Sequence, residues 1–171
     1  MGNALISEGE EPSAIQTIDN TIRDLLDVIS STISNCQTNG KNMSYEDLFL
    51  CYYTFSEALS YFTTYKSHCE ISVSSTKNVI ENVKNIINGA KEESIAKKRA
   101  EKNLENCLHS CEEEENKIDE KIEYYKQRLI GSFEIIELYK NKILDPSNNN
   151  EKYKELYIIR DSILEKLTAL G

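Results

Sequence analysis

The sequence predicts an all-α protein. Three observations predict it: apolar residues recur every three or four positions along most of the chain, only two prolines occur, and 29% charged residues accompany 39% apolar ones. The recurrence is that of one helix face. Between Pro12 and Pro146 no proline interrupts a helix. The balance of charged and apolar residues suits long helices with solvated faces better than a sheet protein.

The elements follow in chain order. Residues 1–11 read as a mobile N-terminal tail, and 12–171 as a single elongated helical domain. Pro12 opens a first helix, with Ser13 as the alternative cap, over about 13–36. Its stripe is Ile15, Ile18, Ile22, Leu25, Ile29 and Ile33, while Asp19, Asp24 and Asp27 fall on other faces. The run Gln37 to Asn42 is turn-rich. Ser44 with Glu46 and Asp47 then caps a second helix over about 44–87. Its stripe is Leu48, Cys51, Phe55, Ala58, Phe62, Tyr65, Cys69, Val73, Thr76, Val79, Val83 and Ile86. Ser72–Thr76 is its weakest stretch, because Ser, Val and Thr are mediocre helix formers.

Asn88-Gly89 marks a break. A third helix over about 94–144 carries Ala96, Ala100, Leu104, Cys107, Cys111, Ile118, Ile122, Tyr125, Leu129, Phe133, Ile136, Tyr139 and Ile143. Asp145-Pro146-Ser147 ends it. A last helix over about 151–169 presents Leu156, Ile159, Ile163 and Leu167, with Leu170 just beyond. Short turns at 37–43 and 88–93 fold the long, coiled-coil-like helices back as antiparallel neighbours in an elongated hairpin or bundle. The expected packing and dimer seam is Phe55, Phe62, Val83, Leu104, Ile118, Ile122, Leu129 and Phe133.

Composition also excludes functions. A net charge of −9 argues against nucleic acid, which selects basic surfaces. The only histidines, His68 and His109, lie in no nucleophile or metal motif, and the six glycines form no phosphate-cradling loop. No catalytic residue, metal or cofactor is expected. In Cys107-Leu108-His109-Ser110-Cys111 the histidine sits about 200° around the helix from Cys107, so the three cannot face one ion. Glu112–Glu115 reads as a solvated helix face. Five cysteines behind an N-terminus too polar for a signal core suggest a reduced, cytoplasmic setting. Met1-Gly2 raises N-myristoylation, but the hydroxyl expected at residue 6 is an isoleucine, and Ser7 comes one place late.

One cluster stands out against the acidic average: Lys91, Lys97, Lys98, Arg99 and Lys102, at the turn between the two long helices. At the tip of a hairpin such charges reach phosphate headgroups even when the body is acidic. The competing reading pairs them with Glu92, Glu93 and Glu101 as ordinary helix solubilisation.

The pattern resembles the C-terminal BAR domain of sorting nexins. Gly40 ends the first helix, Glu46-Asp47 opens the second, and Tyr52-Tyr53 and Glu57-Ala58 follow. Lys97-Lys98-Arg99-Ala100-Glu101 is similar to the basic tip of that family, and Arg128 to Phe133 to a stretch late in its third helix. The similarity spans about 13–165. The first helix is expected to be shorter than that of the family, and residues 1–11 are not expected to hold its phosphoinositide-binding domain. The resemblance implies a homo- or heterodimer through the long helices, peripheral on phosphoinositide-bearing endosomal membranes. The alternative is a coiled-coil scaffold or adaptor subunit of a larger assembly with no lipid contact.

Overall fold

Each helix starts where a serine hydroxyl satisfies a free backbone N–H, or at a stretch rich in helix formers. The structure, a computed structural model, describes residues 13–40, 42–143 and 151–170. Helix α1 is Ala14–Thr38. Ser13, not Pro12, caps it, its Oγ accepting from the Gln16 N–H at 3.1 Å. The helix ends where the Asn39 N–H reaches the Asn35 carbonyl and Gly40 takes φ +61°, a conformation that favours glycine. Helix α2 is Tyr45–Asn88, capped by Ser44 through the Asp47 N–H at 3.1 Å, with Glu46 and Asp47 in its first turn. It runs without a break through Ser72–Thr76, where the Thr76 hydroxyl donates back to the Ser72 carbonyl. Helix α3 is Ile95–Ile143, capped by Ser94 through the Lys97 N–H at 3.1 Å, and α4 is Glu151–Ala169. Among the described residues there is no strand, and the chain is all-α. The expected tail 1–11, Pro12, the Met1-Gly2 start, Lys41, Leu144 and the Asp145-Pro146-Ser147 terminator lie outside the described residues, as does the side chain of Ile143.

The chain divides into two units. In the first, α1, α2 up to Tyr65, α3 from Tyr125 onward, and α4 pack together. Here α2 and α3 run antiparallel, because Tyr65 meets Tyr125 at 6.1 Å and Phe55 meets Phe133 at 5.6 Å between ring centres. Their core includes Ile22, Leu26, Ile29, Tyr52, Phe55, Leu59, Phe62, Leu129, Ile136, Leu156 and Ile163, all nearly inaccessible. Four helices surround one another here, so α2 buries side chains over about 160° of its circumference: Tyr52, Thr54, Phe55, Ala58, Leu59 and Phe62 are all covered.

Two buried tyrosine hydroxyls of this unit are paired with carboxylates. The Tyr52 hydroxyl donates to Glu137, which also accepts from Arg160 at 2.7 Å and Lys140 at 3.5 Å. The Tyr125 hydroxyl donates to the carboxylate of Asp19, which also holds Arg23 at 3.4 Å. Asp19, expected on an outer face, is therefore buried, with 6% of its surface exposed. The reason is α3, which lays Tyr125 across that side of α1. Burial, and then the hydrogen bond to Asp19, push the Tyr125 phenol up to about 12, and burial followed by Glu137 raises Tyr52 further.

The second unit, Lys66–Tyr124, is a two-helix hairpin. Here the expected stripe of α2 is displaced. Cys69, Ile80 and Ile87 are buried, whereas Val79, Val83 and Ile86 are 62%, 40% and 74% exposed. At about 100° per residue, Ile80 lies about 20° from Val73 and Val79 about 120° away. The sequence offers both series, and only the seven-residue one, Val73, Ile80 and Ile87, stays aligned with an antiparallel neighbour.

Three stability outcomes follow from this packing. Phe62→Ala or Phe133→Ala lowers unfolding free energy by about 3 kcal/mol in denaturant titration, and a loss below about 1 kcal/mol would show that the ring is not core. A Cβ on Gly131 meets nothing within 4 Å, so Gly131→Ala raises stability by about 0.5–1 kcal/mol in the same titration. An acid raised on folding stabilises below its unfolded value and loses that contribution as pH climbs through its folded value. The Tyr125 contribution is thus intact below pH ~10, its unfolded value. It is lost as pH approaches about 12. Tyr125→Phe should flatten that alkaline decline in thermal unfolding curves, and an unchanged slope would remove Tyr125 as its source.

Candidate binding surface on the hairpin unit

Within the second unit the C-terminal half of α2 and the N-terminal half of α3 are joined by residues 89–94. The Gly89 N–H returns to the Asn85 carbonyl at 3.0 Å and the Ala90 N–H to the Ile87 carbonyl at 3.1 Å, closing α2. Across the pair Lys77 meets Glu115 at 2.7 Å. The Lys77 ammonium is held above its ordinary pKa by its bond to Glu115.

The turn carries the predicted cations. Lys91, Lys98, Arg99 and Lys102 are exposed, and none of them takes part in an ion pair among the described residues. Lys97 differs from the expected exposure: its side chain is 16% accessible, and its Nζ donates to the Ala90 carbonyl at 2.9 Å and to Glu93 at 3.1 Å. It ties the turn to the first turn of α3. Ile95, at the start of α3, is 74% exposed beside the free cations. The pairing expected with Glu92, Glu93 and Glu101 thus reaches only Lys97.

The expected seam residues separate. Phe55, Phe62, Leu129 and Phe133 are buried in the first unit; Leu104, Ile118 and Ile122 are half-buried in the hairpin; Val83 is not buried, for the phasing reason given above. Two helices alone cover an apolar layer incompletely. One side of the hairpin accordingly holds an open groove of about 480 Å³ over Cys69, Val73, Ile118 and Ile122. A second groove of about 380 Å³ over Ile80, Leu108 and Cys111 shares Lys77 and Glu115 with it.

Chemistry is sparse. Cys107 is exposed and Cys111 half-buried, and no group of three or more metal-ligating side chains exists among the described residues. His109 Nε2 lies 3.0 Å from Glu113, both exposed. Glu112, Glu113 and Glu114 are solvated, while Glu115 turns to Lys77. Among the described residues no helix is long and apolar enough to cross a membrane.

Sequence reasoning missed the buried Asp19–Tyr125 and Tyr52–Glu137–Arg160 contacts. Their signal was an aromatic hydroxyl in an apolar stripe, which needs a partner when buried. No protein-family model, no curated protein and no solved structure matches the chain.

Proposed function

We propose that the chain is a non-enzymatic helical binding module that attaches peripherally to anionic, phosphate-bearing membrane surfaces through the hairpin turn. One observation carries this: Lys91, Lys98, Arg99 and Lys102 stand exposed and unpaired beside exposed Ile95, in a chain of net charge −9. Between residues 91 and 102 five cations face three carboxylates, a local charge of +2. Ionic attraction acts over about 8–10 Å at physiological salt, so the turn is felt by a surface that touches it, while more distant acidic residues are screened. Each cation near an anionic leaflet contributes about 1 kcal/mol. Ile95 adds apolar area that a headgroup region would cover.

The BAR-type resemblance supports the same reading. With it come, as parts of the proposal, phosphoinositide headgroups, a homo- or heterodimeric state and a peripheral place on endosomal membranes from the cytoplasmic side. The assembly subunit without lipid contact is the competing account.

The test is co-sedimentation with phosphoinositide-containing liposomes at low and physiological salt. Wild type should pellet at low salt and less at physiological salt. Charge reversal of Lys91, Lys98, Arg99 and Lys102 to glutamate should leave the protein in the supernatant, with Lys97 kept because it holds the turn. If wild type does not pellet at low salt, the assembly subunit becomes the better account. If the reversed variant pellets equally, lipid contact does not run through this turn.

A further inference from the structure

The two grooves of the hairpin are halves of one trough. They share Lys77 and Glu115, and they continue one another from Cys69 and Ile122 to Ile80 and Leu108. From Leu108 to Ile122 that is about 21 Å, or roughly four helical turns. The floor is apolar and only partly covered: Val73, Cys111, Ile118 and Ile122 are half-buried, and Leu108 is 40% exposed. Both rims are acidic. Glu70 and Glu81 stand on the α2 side, Glu112 and Asp119 on the α3 side. All four are exposed, and none makes an ion pair among the described residues. Against them the trough holds one unpaired cation, Lys66. The Lys77–Glu115 pair adds no net charge and crosses the trough between its halves.

We propose that this trough is a docking site for a basic amphipathic helix of a partner protein. Its shape selects a helix. A helix keeps its backbone hydrogen bonds within itself, so it can lie on an apolar floor that offers no donors or acceptors. Strand addition needs a sheet edge, and the described residues contain no strand. A third helix laid between two others covers the apolar side chains that the two leave half-exposed. Charge then sets its flanks. An apolar stripe bordered on both sides by Lys or Arg puts cations against Glu70 and Glu81 on one edge and against Glu112 and Asp119 on the other. The same carboxylates turn other occupants away. Phosphate-bearing surfaces, lipid or nucleic acid, are repelled. Residues 1–12 hold Glu8, Glu10 and Glu11 without a Lys or Arg, and residues 144–150 hold Asp145 without one, so neither segment brings the matching charge. A second copy could offer its basic turn, but within residues 91–102 Ile95 is the one large apolar side chain exposed, too little to fill the trough. The Lys77–Glu115 pair across the middle calls for a small residue at the centre of the incoming stripe.

The probe is a synthetic helical peptide of about 15 residues, with two leucines on either side of a central alanine along one face and lysines on both flanks. Fluorescence anisotropy should show saturable binding to the full chain in the micromolar range. The same peptide with glutamate for lysine, or with serine for leucine, should bind at least about tenfold more weakly. Reversal of Glu70, Glu81, Glu112 and Asp119 to lysine should invert the preference, so that the glutamate-flanked peptide becomes the tighter ligand. Reversal of Asp24, Glu57, Glu134 and Glu165, exposed residues of the first unit, changes the net charge equally and should leave the preference as it was. Circular dichroism checks that both variants keep their helix content. Location is read in a Cys107→Ser protein, where Cys111 is the one remaining thiol that is not buried. The lysine-flanked peptide should suppress maleimide alkylation of Cys111 as it saturates the protein. A glutamate- or serine-bearing peptide that binds wild type as well, a rim reversal with no more effect than the first-unit reversal, or a Cys111 rate that the peptide leaves unchanged would each overturn the proposal. The liposome test reads Lys91, Lys98, Arg99 and Lys102, and no outcome here alters it, so the two ideas fail separately.

Discussion

The interaction on which the first unit depends is the stacking of α2 on α3 around Phe133. That ring lies 5.6 Å from Phe55 and 6.3 Å from Tyr52, and it sets the level at which both helices pass one another. From it the neighbouring pairs follow at helical spacing: Tyr52 reaches Glu137 one turn on, and Tyr65 meets Tyr125 two turns back. Burying Tyr52 would leave a hydroxyl without water, and Glu137 removes that cost. Glu137 has Lys140 on its own helix at 3.5 Å and takes its closer charge partner, at 2.7 Å, from Arg160, which is how α4 becomes committed to the same site. An aromatic contact thus determines where the polar partners must be.

The two units differ in how many neighbours a helix has, and their exposure follows from that number. In the first, three other helices pack against the N-terminal part of α2, and apolar residues over nearly half of its circumference are covered. In the hairpin one neighbour is present, and one seven-residue series suffices for it. Other apolar residues of α2, Ile71, Val79, Val83 and Ile86, stay in solvent within the chain. The number of neighbours, not the hydrophobicity of the residues, decides which of them are covered.

Charge is divided in a parallel way. Lys97 serves the fold, closing the turn against Ala90 and Glu93, while its neighbours Lys98 and Arg99 point away with no acid to hold them. Adjacent residues on a helix face different directions, so a basic run always splits between inward and outward roles. This division separates the cations that build the turn from those left to meet an external anion.

The sequence by itself determined the class and the element boundaries. Proline-free amphipathic runs made long helices unavoidable, and Ser13, Ser44 and Ser94 each start a helix because a side-chain oxygen there satisfies a free N–H. Half of the expected seam residues are legible as core, since Phe55, Phe62, Leu129 and Phe133 sit on single-phase stripes and are buried. The phase of α2 beyond Val73 was not, nor was the burial of Asp19, nor which of five cations remain free. In each case two arrangements satisfy the local spacing equally, and the choice belongs to another element: α3 selects Ile80 over Val79, Tyr125 encloses Asp19, and the Ala90 carbonyl captures Lys97. Periodicity fixes which residues share a side of a helix. Only tertiary packing decides which side finds a neighbour, because that depends on residues remote in the chain.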